Sequence, residues 1–232
     1  MNGTFYGIGV GSGDPELLTV KAINAIKIAD VIVAPRTEKK DDSVALSIAR
    51  PYLKENIEIL YQTFPMVRDF ADWQAAAQEN KTEILSLLNA GKNVAFLTLG
   101  DPMFFSTYIY VYRLLENEGV SIVTVPGVTA FSAIAAKYGV PVVEGNEILT
   151  IIPATAEPSA IKTALKAANN AVVMKVYKNF PQVAKMLQEE DMVDKAVMAS
   201  RVGLTDETLI KDVWQHRDDK VNYLSTILTR RK

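Results

Sequence analysis

Two short apolar runs each break at the same tripeptide: Gly13-Asp14-Pro15 follows residues 4–10, and Gly100-Asp101-Pro102 follows residues 94–99. Proline has no backbone N–H and cannot extend a strand ladder, yet it suits the first position of a helix, with aspartate before it as a cap. Each tripeptide therefore reads as the point where a strand ends and a helix begins. Repeated in one chain, this punctuation constrains the fold towards strands that alternate with helices.

The surrounding pattern agrees. Residues 4–10, 31–34, 57–61, 94–99 and 120–125 read as strands, the second stopping at Pro35. Between them, residues 16–29, 43–50, 71–89 and 108–118 carry helical spacing of apolar residues, and Gly91 is placed to end the third helix. This rhythm predicts a mainly parallel sheet covered on both faces. The second half changes character. Strand candidates at 147–152, 171–177, 196–200, 207–213 and 223–228 enclose only two helices, 159–168 and 181–190, with short polar links such as Thr205-Asp206. A mixed, partly antiparallel sheet is expected there. Gly139, Pro141 and Gly145 punctuate the join, giving an expected division into an N-terminal α/β domain, 1–138, and a C-terminal α/β domain, 139–232.

Composition narrows the chemistry. The chain has 232 residues, no Cys and one His, His216. That excludes disulfides, thiolate metal sites, Cys nucleophiles and multi-histidine metal centres, so no metal site is expected. A net charge of -2 disfavours a nucleic-acid binder that works by phosphate neutralisation. No apolar run reaches the ~18 residues of a membrane span, and the first residues lack a signal-peptide pattern, so a cytoplasmic protein is expected. The charges of Glu38-Lys39-Lys40-Asp41-Asp42 mix both signs and read as a solvated loop.

Three loops are candidates for ligand contact. Residues 7–15 lie between a strand and a helix, where α/β proteins bind ligands, but their glycines miss the G-x-G-x-x-G spacing and no Lys-Ser/Thr pair completes a phosphate loop. A capped turn explains them as well. Residues 97–108 repeat that setting with Asp101 as an alternative helix cap. Val125-Pro126-Gly127-Val128-Thr129-Ala130 opens a helix with small residues, which suits either helix packing or close approach of a ligand to free amides.

In order and spacing, the glycine-rich first loop with Leu17-Leu18-Thr19, then Ala29-Asp30-Val31-Ile32, Leu99-Gly100-Asp101-Pro102, Val125-Pro126-Gly127-Val128-Thr129-Ala130 and the late Met174-Lys175 resemble the tetrapyrrole methylase family over essentially the whole chain. Ser106-Thr107-Tyr108-Ile109-Tyr110 and Met174–Lys178 look most like members that methylate carbon 20 of precorrin-2 or cobalt-factor II in cobalamin biosynthesis. The resemblance implies a class III methyltransferase fold, two α/β domains with S-adenosyl-L-methionine between them, and a homodimer. Its cofactor contacts fall on Leu99, Gly100, Asp101, Met103, Phe104, Thr129, Ala130 and Met174, with the stretch Arg201, Val202, Gly203 as the C-terminal contributor and Ser12 where many relatives have proline. Substrate contacts are expected from Arg36, Ser106 and Tyr108. The substrate is a polyanionic macrocycle, and Lys39, Lys40, Arg68, Lys175, Lys178 and Arg201 are further candidate partners for its carboxylates. Phe104, Phe105 and Tyr108 suit either its ring face or core packing. No catalytic base is identified. The alternatives are another tetrapyrrole carbon, as in enzymes acting on precorrin-4 or precorrin-3B, a protein or RNA acceptor, or a nucleotide-binding protein that is not a methylase.

Overall fold

The computed structural model describes residues 2–36, 43–64, 73–74 and 77–231. It divides into two compact units, Met1–Thr129 and Ala130–Lys232.

In the first unit, β1 (Thr4–Gly9), β2 (Val31–Arg36), β3 (Glu58–Thr63), β4 (Val94–Thr98) and β5 (Ser121–Val125) form one sheet in the order β3-β2-β4-β1-β5. All its pairings are parallel, as the alternating pattern predicts. Its helices are α1 (Val20–Ile28), α2 (Val44–Ala49), α3 (Gln78–Asn89) and α4 (Tyr108–Leu115). All five side chains of β4 are buried, the mark of a strand flanked by neighbours and covered on both faces. On α4, Tyr108, Val111, Leu114 and Leu115 are buried at helical spacing and join Phe5, Phe96, Ile84 and Leu88 in one core.

Two local expectations change. The first helix begins at Val20, not residue 16, because two caps act in succession. Asp14 accepts the Glu16 amide at 2.9 Å and opens only the 3-10 turn Pro15–Leu17; Leu18 then extends, and Thr19 caps α1 by accepting the Ala22 amide at 3.1 Å. β2 also runs through Pro35 to Arg36. Beyond Val33 it pairs only with β3, and a strand with one neighbour tolerates a missing N–H on its unpaired side. Of the helix expected over 71–89, residues 73–74 and Gln78–Asn89 are described and helical, the latter closed by Gly91 at φ +81°.

The second unit holds α5 (Ala130–Tyr138), β6 (Leu149–Pro153), α6 (Pro158–Ala167), β7 (Asn170–Met174), α7 (Phe180–Glu189), β8 (Val197–Ser200), β9 (Thr208–Ile210) and β10 (Ser225–Arg230). The sheet order is β6-β7-β10-β8-β9. β6 and β7 are parallel, whereas β10 runs antiparallel to both β7 and β8, and β9 antiparallel to β8. The sheet is mixed, as the short polar links predict. The units divide before α5, which packs on β10; the expected division at 138/139 assigns that helix to the first domain. The strand expected over 171–177 ends at Met174, where Lys175 takes a left-handed backbone (φ +59°) and the chain turns into Val176–Lys178. That expected over 207–213 shortens to β9. Among the described residues no helix is long and apolar enough to cross a membrane.

Candidate active site

Because β4, β1 and β5 are adjacent and parallel, the segments after them emerge along one edge of the first sheet, and all three candidate loops meet there. The contact is main chain on main chain. Gly11 and Gly100 exchange hydrogen bonds, Gly100 N–H to Gly11 carbonyl at 2.7 Å and the reverse at 3.3 Å. A methyl group on Gly127 would stand 2.1 Å from the Gly100 carbonyl oxygen and 2.8 Å from the Gly9 backbone; one on Gly9 would stand 2.6 Å from both the Gly100 oxygen and the Gly127 nitrogen. Only glycine fits where three chains approach so closely.

Asp101 ties the second loop to the third. One carboxylate oxygen accepts the Met103 amide at 2.9 Å and the other the Gly127 amide at 3.0 Å. This is more than the helix cap its sequence position allows, since the second bond reaches across 26 residues. Gly100 itself is left-handed (φ +71°), and the space in front of its Cα is open for 4 Å. Beside it, Ser12 is 4% exposed and its hydroxyl has no hydrogen-bond partner. A buried hydroxyl without a partner costs about 1–3 kcal/mol, which an ordered water or a ligand that bonds it would recover. An open glycine cradle with an orphan hydroxyl fits a small, polar cofactor.

The rest of the second loop is apolar and accessible. Met103 is 48% and Phe105 42% exposed, Phe104 meets Phe105 edge to face at 4.9 Å, and Phe105 holds a left-handed φ of +49°. Leu99 is half-buried at the end of β4. Ser106 is half-buried, its hydroxyl donating to the Pro102 carbonyl. Arg36 is exposed at the same sheet edge; its Nε donates to Thr63 Oγ1 at 3.3 Å and its guanidinium lies 5.7 Å from the Tyr61 ring centre. Tyr108 departs from expectation. It is fully buried, stacks 6.2 Å from Phe5 and shares a 2.7 Å hydrogen bond with Thr124, so it fills the core instead of meeting a substrate. Its ring occupies the space a Gly7 side chain would need, with 1.9 Å to the nearest atom. Burial pushes its phenol above the ordinary value. Lys39, Lys40 and Arg68 lie outside the described residues. Thr129 closes the first unit and Ala130 opens α5 in the second; both are half-buried.

In the second unit β6, β7 and β8 point the same way, so Met174, Lys175 and Arg201 share one edge of the sheet. Met174 is half-buried. Lys175 and Arg201 follow directly on β7 and β8, both with left-handed backbones (φ +59° and +55°), a conformation costly for these residues and enriched where function demands it. Burial pulls the Lys175 ammonium below its ordinary value. The Arg201 Nε donates to Asp206 at 2.5 Å, and the Arg201 amide to the Leu224 carbonyl at 2.9 Å. Val202 is buried, 5% exposed. Lys178 lies 5.5 Å from the ring centre of Tyr177, which meets Tyr223 edge to face at 5.0 Å.

Sequence reasoning misses two residues here. Glu207 accepts the Gly203 amide at 2.7 Å, the Lys137 ammonium at 2.6 Å and the Tyr138 hydroxyl. Burial opposes its charge, but these donors prevail and hold its carboxyl below the ordinary value; burial and the facing carboxylate push Tyr138 up to about 12. The partners lie 69 residues apart, and nothing in either local sequence signals the pairing.

Together these features define a two-unit α/β protein whose first sheet brings three glycine-bearing loops together at its carboxyl edge, where α/β sheets bind ligands. Residues 4–215 match the profile of the Tetrapyrrole (Corrin/Porphyrin) Methylases, and the chain belongs to that family. It is 37% identical over 235 residues to a cobalt-precorrin-2 C(20)-methyltransferase of Salmonella typhimurium, covering 100% of this chain and 98% of that protein. It is 32% identical over 241 residues to a precorrin-2 C(20)-methyltransferase of a Sinorhizobium species, covering 97% of this chain and 94% of the other. Among solved structures, it resembles a Thermus thermophilus uroporphyrin-III C-methyltransferase complexed with S-adenosyl homocysteine, with a TM-score of 0.72 at 22% identity over 98% of this chain and 92% of that one.

Proposed function

We propose that this chain transfers a methyl group from S-adenosylmethionine to carbon 20 of a precorrin-2 macrocycle, in its cobalt-bearing form, within cobalamin biosynthesis. The observation that carries this reading is the full-length similarity to the Salmonella enzyme, whose name specifies that substrate. The Sinorhizobium relative, named for precorrin-2 without cobalt, supports the metal-free macrocycle as a second reading.

When bound, the cofactor supplies a methyl group on a sulfonium, whose departure as a neutral thioether requires no proton donor. The chain's own task is positional. Leu99, Gly100, Asp101, Met103 and Phe104 would hold the cofactor from the second loop, with Ser12 donating its orphan hydroxyl and Thr129 and Ala130 following the third. Met174 and the Arg201–Gly203 stretch are the remaining cofactor contacts of this reading. Holding reacting atoms about 3–3.5 Å apart and in line lowers a barrier by several kcal/mol; the macrocycle's own carbon is the nucleophile, and the proton that carbon 20 carried is released to solvent once the new bond has formed. A chain with no Cys and one His has the residues for that task. His216 pairs with Asp219 at 2.7 Å, half-exposed, and takes no part in the proposed chemistry. Arg36, Ser106, Lys175 and Lys178 would meet the macrocycle's carboxylates by charge and hydrogen bonding. A homodimer and a cytoplasmic setting belong to the same reading, the former tested by sedimentation equilibrium.

The deciding experiment gives the purified protein methyl-labelled S-adenosylmethionine with metal-free precorrin-2 and cobalt-precorrin-2 in separate reactions. Label at carbon 20 of the cobalt complex is expected to form faster. Faster transfer to precorrin-2 selects the second reading. Transfer to neither, with cofactor binding intact by calorimetry, refutes both.

A further inference from the structure

The turn that begins at Arg201 is closed by the Leu204 amide donating to the Arg201 carbonyl at 3.0 Å, yet its backbone is held from outside as well. Arg201 and Gly203 both carry positive φ (+55° and +83°), with the buried Val202 between them. Its start is pinned, since the Arg201 amide reaches Leu224 and its guanidinium reaches Asp206. At its end, the Gly203 amide donates to Glu207 Oε2 at 2.7 Å. The same oxygen receives Lys137 Nζ at 2.6 Å, and Oε1 receives the Tyr138 hydroxyl. The Glu207 side chain is only 10% exposed, and burying a carboxylate costs several kcal/mol unless donors surround it. Here three donors do, two of them from the end of α5. The carboxylate thus clasps the turn after β8 to the last turn of that helix. With its N–H engaged by Glu207, Gly203 has only its carbonyl left to offer a ligand.

We propose that Glu207, oriented by Tyr138, is a positioning residue for cofactor binding: it fixes Gly203 and so the backbone by which residues 201–203 grip S-adenosylmethionine. The inference rests on the proposed cofactor contacts of that stretch. Lys137 is half-exposed, and its solvent-screened ion pair contributes little beside the hydrogen bonds from Gly203 and Tyr138. The neutral amide of Glu207→Gln preserves the clasp, because its oxygen accepts the Gly203 amide while its NH2 donates to the phenol oxygen. Glu207→Ala abolishes it and leaves the half-buried Gly203 and Tyr138 donors without this acceptor.

The test compares S-adenosylhomocysteine affinity by calorimetry, together with steady-state constants, in the wild type and in Glu207→Ala, Glu207→Gln, Tyr138→Phe and Asp101→Ala. Glu207→Ala is expected to weaken cofactor affinity about tenfold or more and raise the cofactor KM in step. Its kcat and its tetrapyrrole KM are expected to stay within about threefold of wild type, as are all the constants of Glu207→Gln. Loss of Asp101 weakens affinity by an independent route in the first unit. Unchanged affinity in Glu207→Ala beside weakened affinity in Asp101→Ala overturns this inference and leaves the cofactor site standing. Equal losses in the Ala and Gln variants also overturn it, because charge and not the clasp would then be responsible. Unchanged affinity in both Asp101→Ala and Glu207→Ala overturns the cofactor site itself, and the clasp with it. If Glu207→Ala fails to fold, Tyr138→Phe takes its place, with about a threefold loss expected and no loss refuting.

Discussion

Replacing Gly127 by alanine probes the meeting of the three loops directly. The added methyl would lie 2.1 Å from the Gly100 carbonyl oxygen and 2.8 Å from Gly9 Cα and carbonyl carbon. Ordinary contact needs about 3.5 Å, so the chains must separate by roughly 1 Å. All three obstacles are backbone, with no side chain free to swing away. Overpacking of this kind costs about 1–3 kcal/mol. The separation also breaks the 3.0 Å bond from the Gly127 amide to Asp101, a charge-assisted bond worth about 1.5–3 kcal/mol when well buried and nearer the lower figure in this half-exposed setting. We expect a loss of about 3 kcal/mol in urea denaturation followed by circular dichroism, a large share of a typical domain's stability. Gly139→Ala is the control. Gly139 is left-handed (φ +63°) with open space around it, so alanine there meets a dihedral penalty of about 1–2 kcal/mol and no collision. If Gly127→Ala costs no more than Gly139→Ala, the loops do not pack main chain on main chain as described.

Three further outcomes are expected. Tyr108→Phe should lose about 1 kcal/mol of stability with its Thr124 bond while kcat and the tetrapyrrole KM stay at wild-type values; a raised KM would return the residue to the substrate site. Ser12→Ala should leave the ligand-free protein as stable or more stable, since an orphan hydroxyl is removed, and yet weaken S-adenosylhomocysteine binding; differential scanning with and without ligand separates the two effects. Glu207 has a folded-state carboxyl below the ordinary 4.5, so its stabilisation is present above 4.5 and lost as pH falls through the lowered value. Tyr138 has the opposite sign: its stabilisation holds below 10 and fades as pH rises towards about 12. A pH series of denaturation midpoints should therefore slope at both ends, the acid slope shallower in Glu207→Gln and the alkaline slope shallower in Tyr138→Phe; unaltered slopes would remove the clasp as their source.

Local chemistry made much of this fold legible. Gly-Asp-Pro at two strand ends, and the alternation around them, foretell the parallel sheet and the loops at its edge, because capping and proline geometry act within a few residues. The same tripeptide misleads at residue 16, where a second cap at Thr19 competes from only five residues beyond Asp14. What the sequence conceals is tertiary. Tyr108 sits in a motif that suggests ligand contact, yet the helical face it shares with Val111 and Leu115 turns it into the core. Asp101 looks like a cap until the structure brings Gly127 to its second oxygen. Glu207 and Tyr138 meet across strands and loops, and no periodicity encodes such a meeting.

The place of β10 bears on how the protein is made. It lies at the middle of the second sheet, antiparallel to both neighbours, but it follows every other strand of that sheet in the chain. The first unit can complete its sheet as soon as residue 125 has left the ribosome. The second must wait for residues 225–230, and until then β7 and β8 each lack the partner between them, with hydrogen-bonding edges open to other chains. A nascent chain stalled or clipped just short of β10 would carry one finished unit and one adhesive one. Such truncated products should be the aggregating species during overproduction.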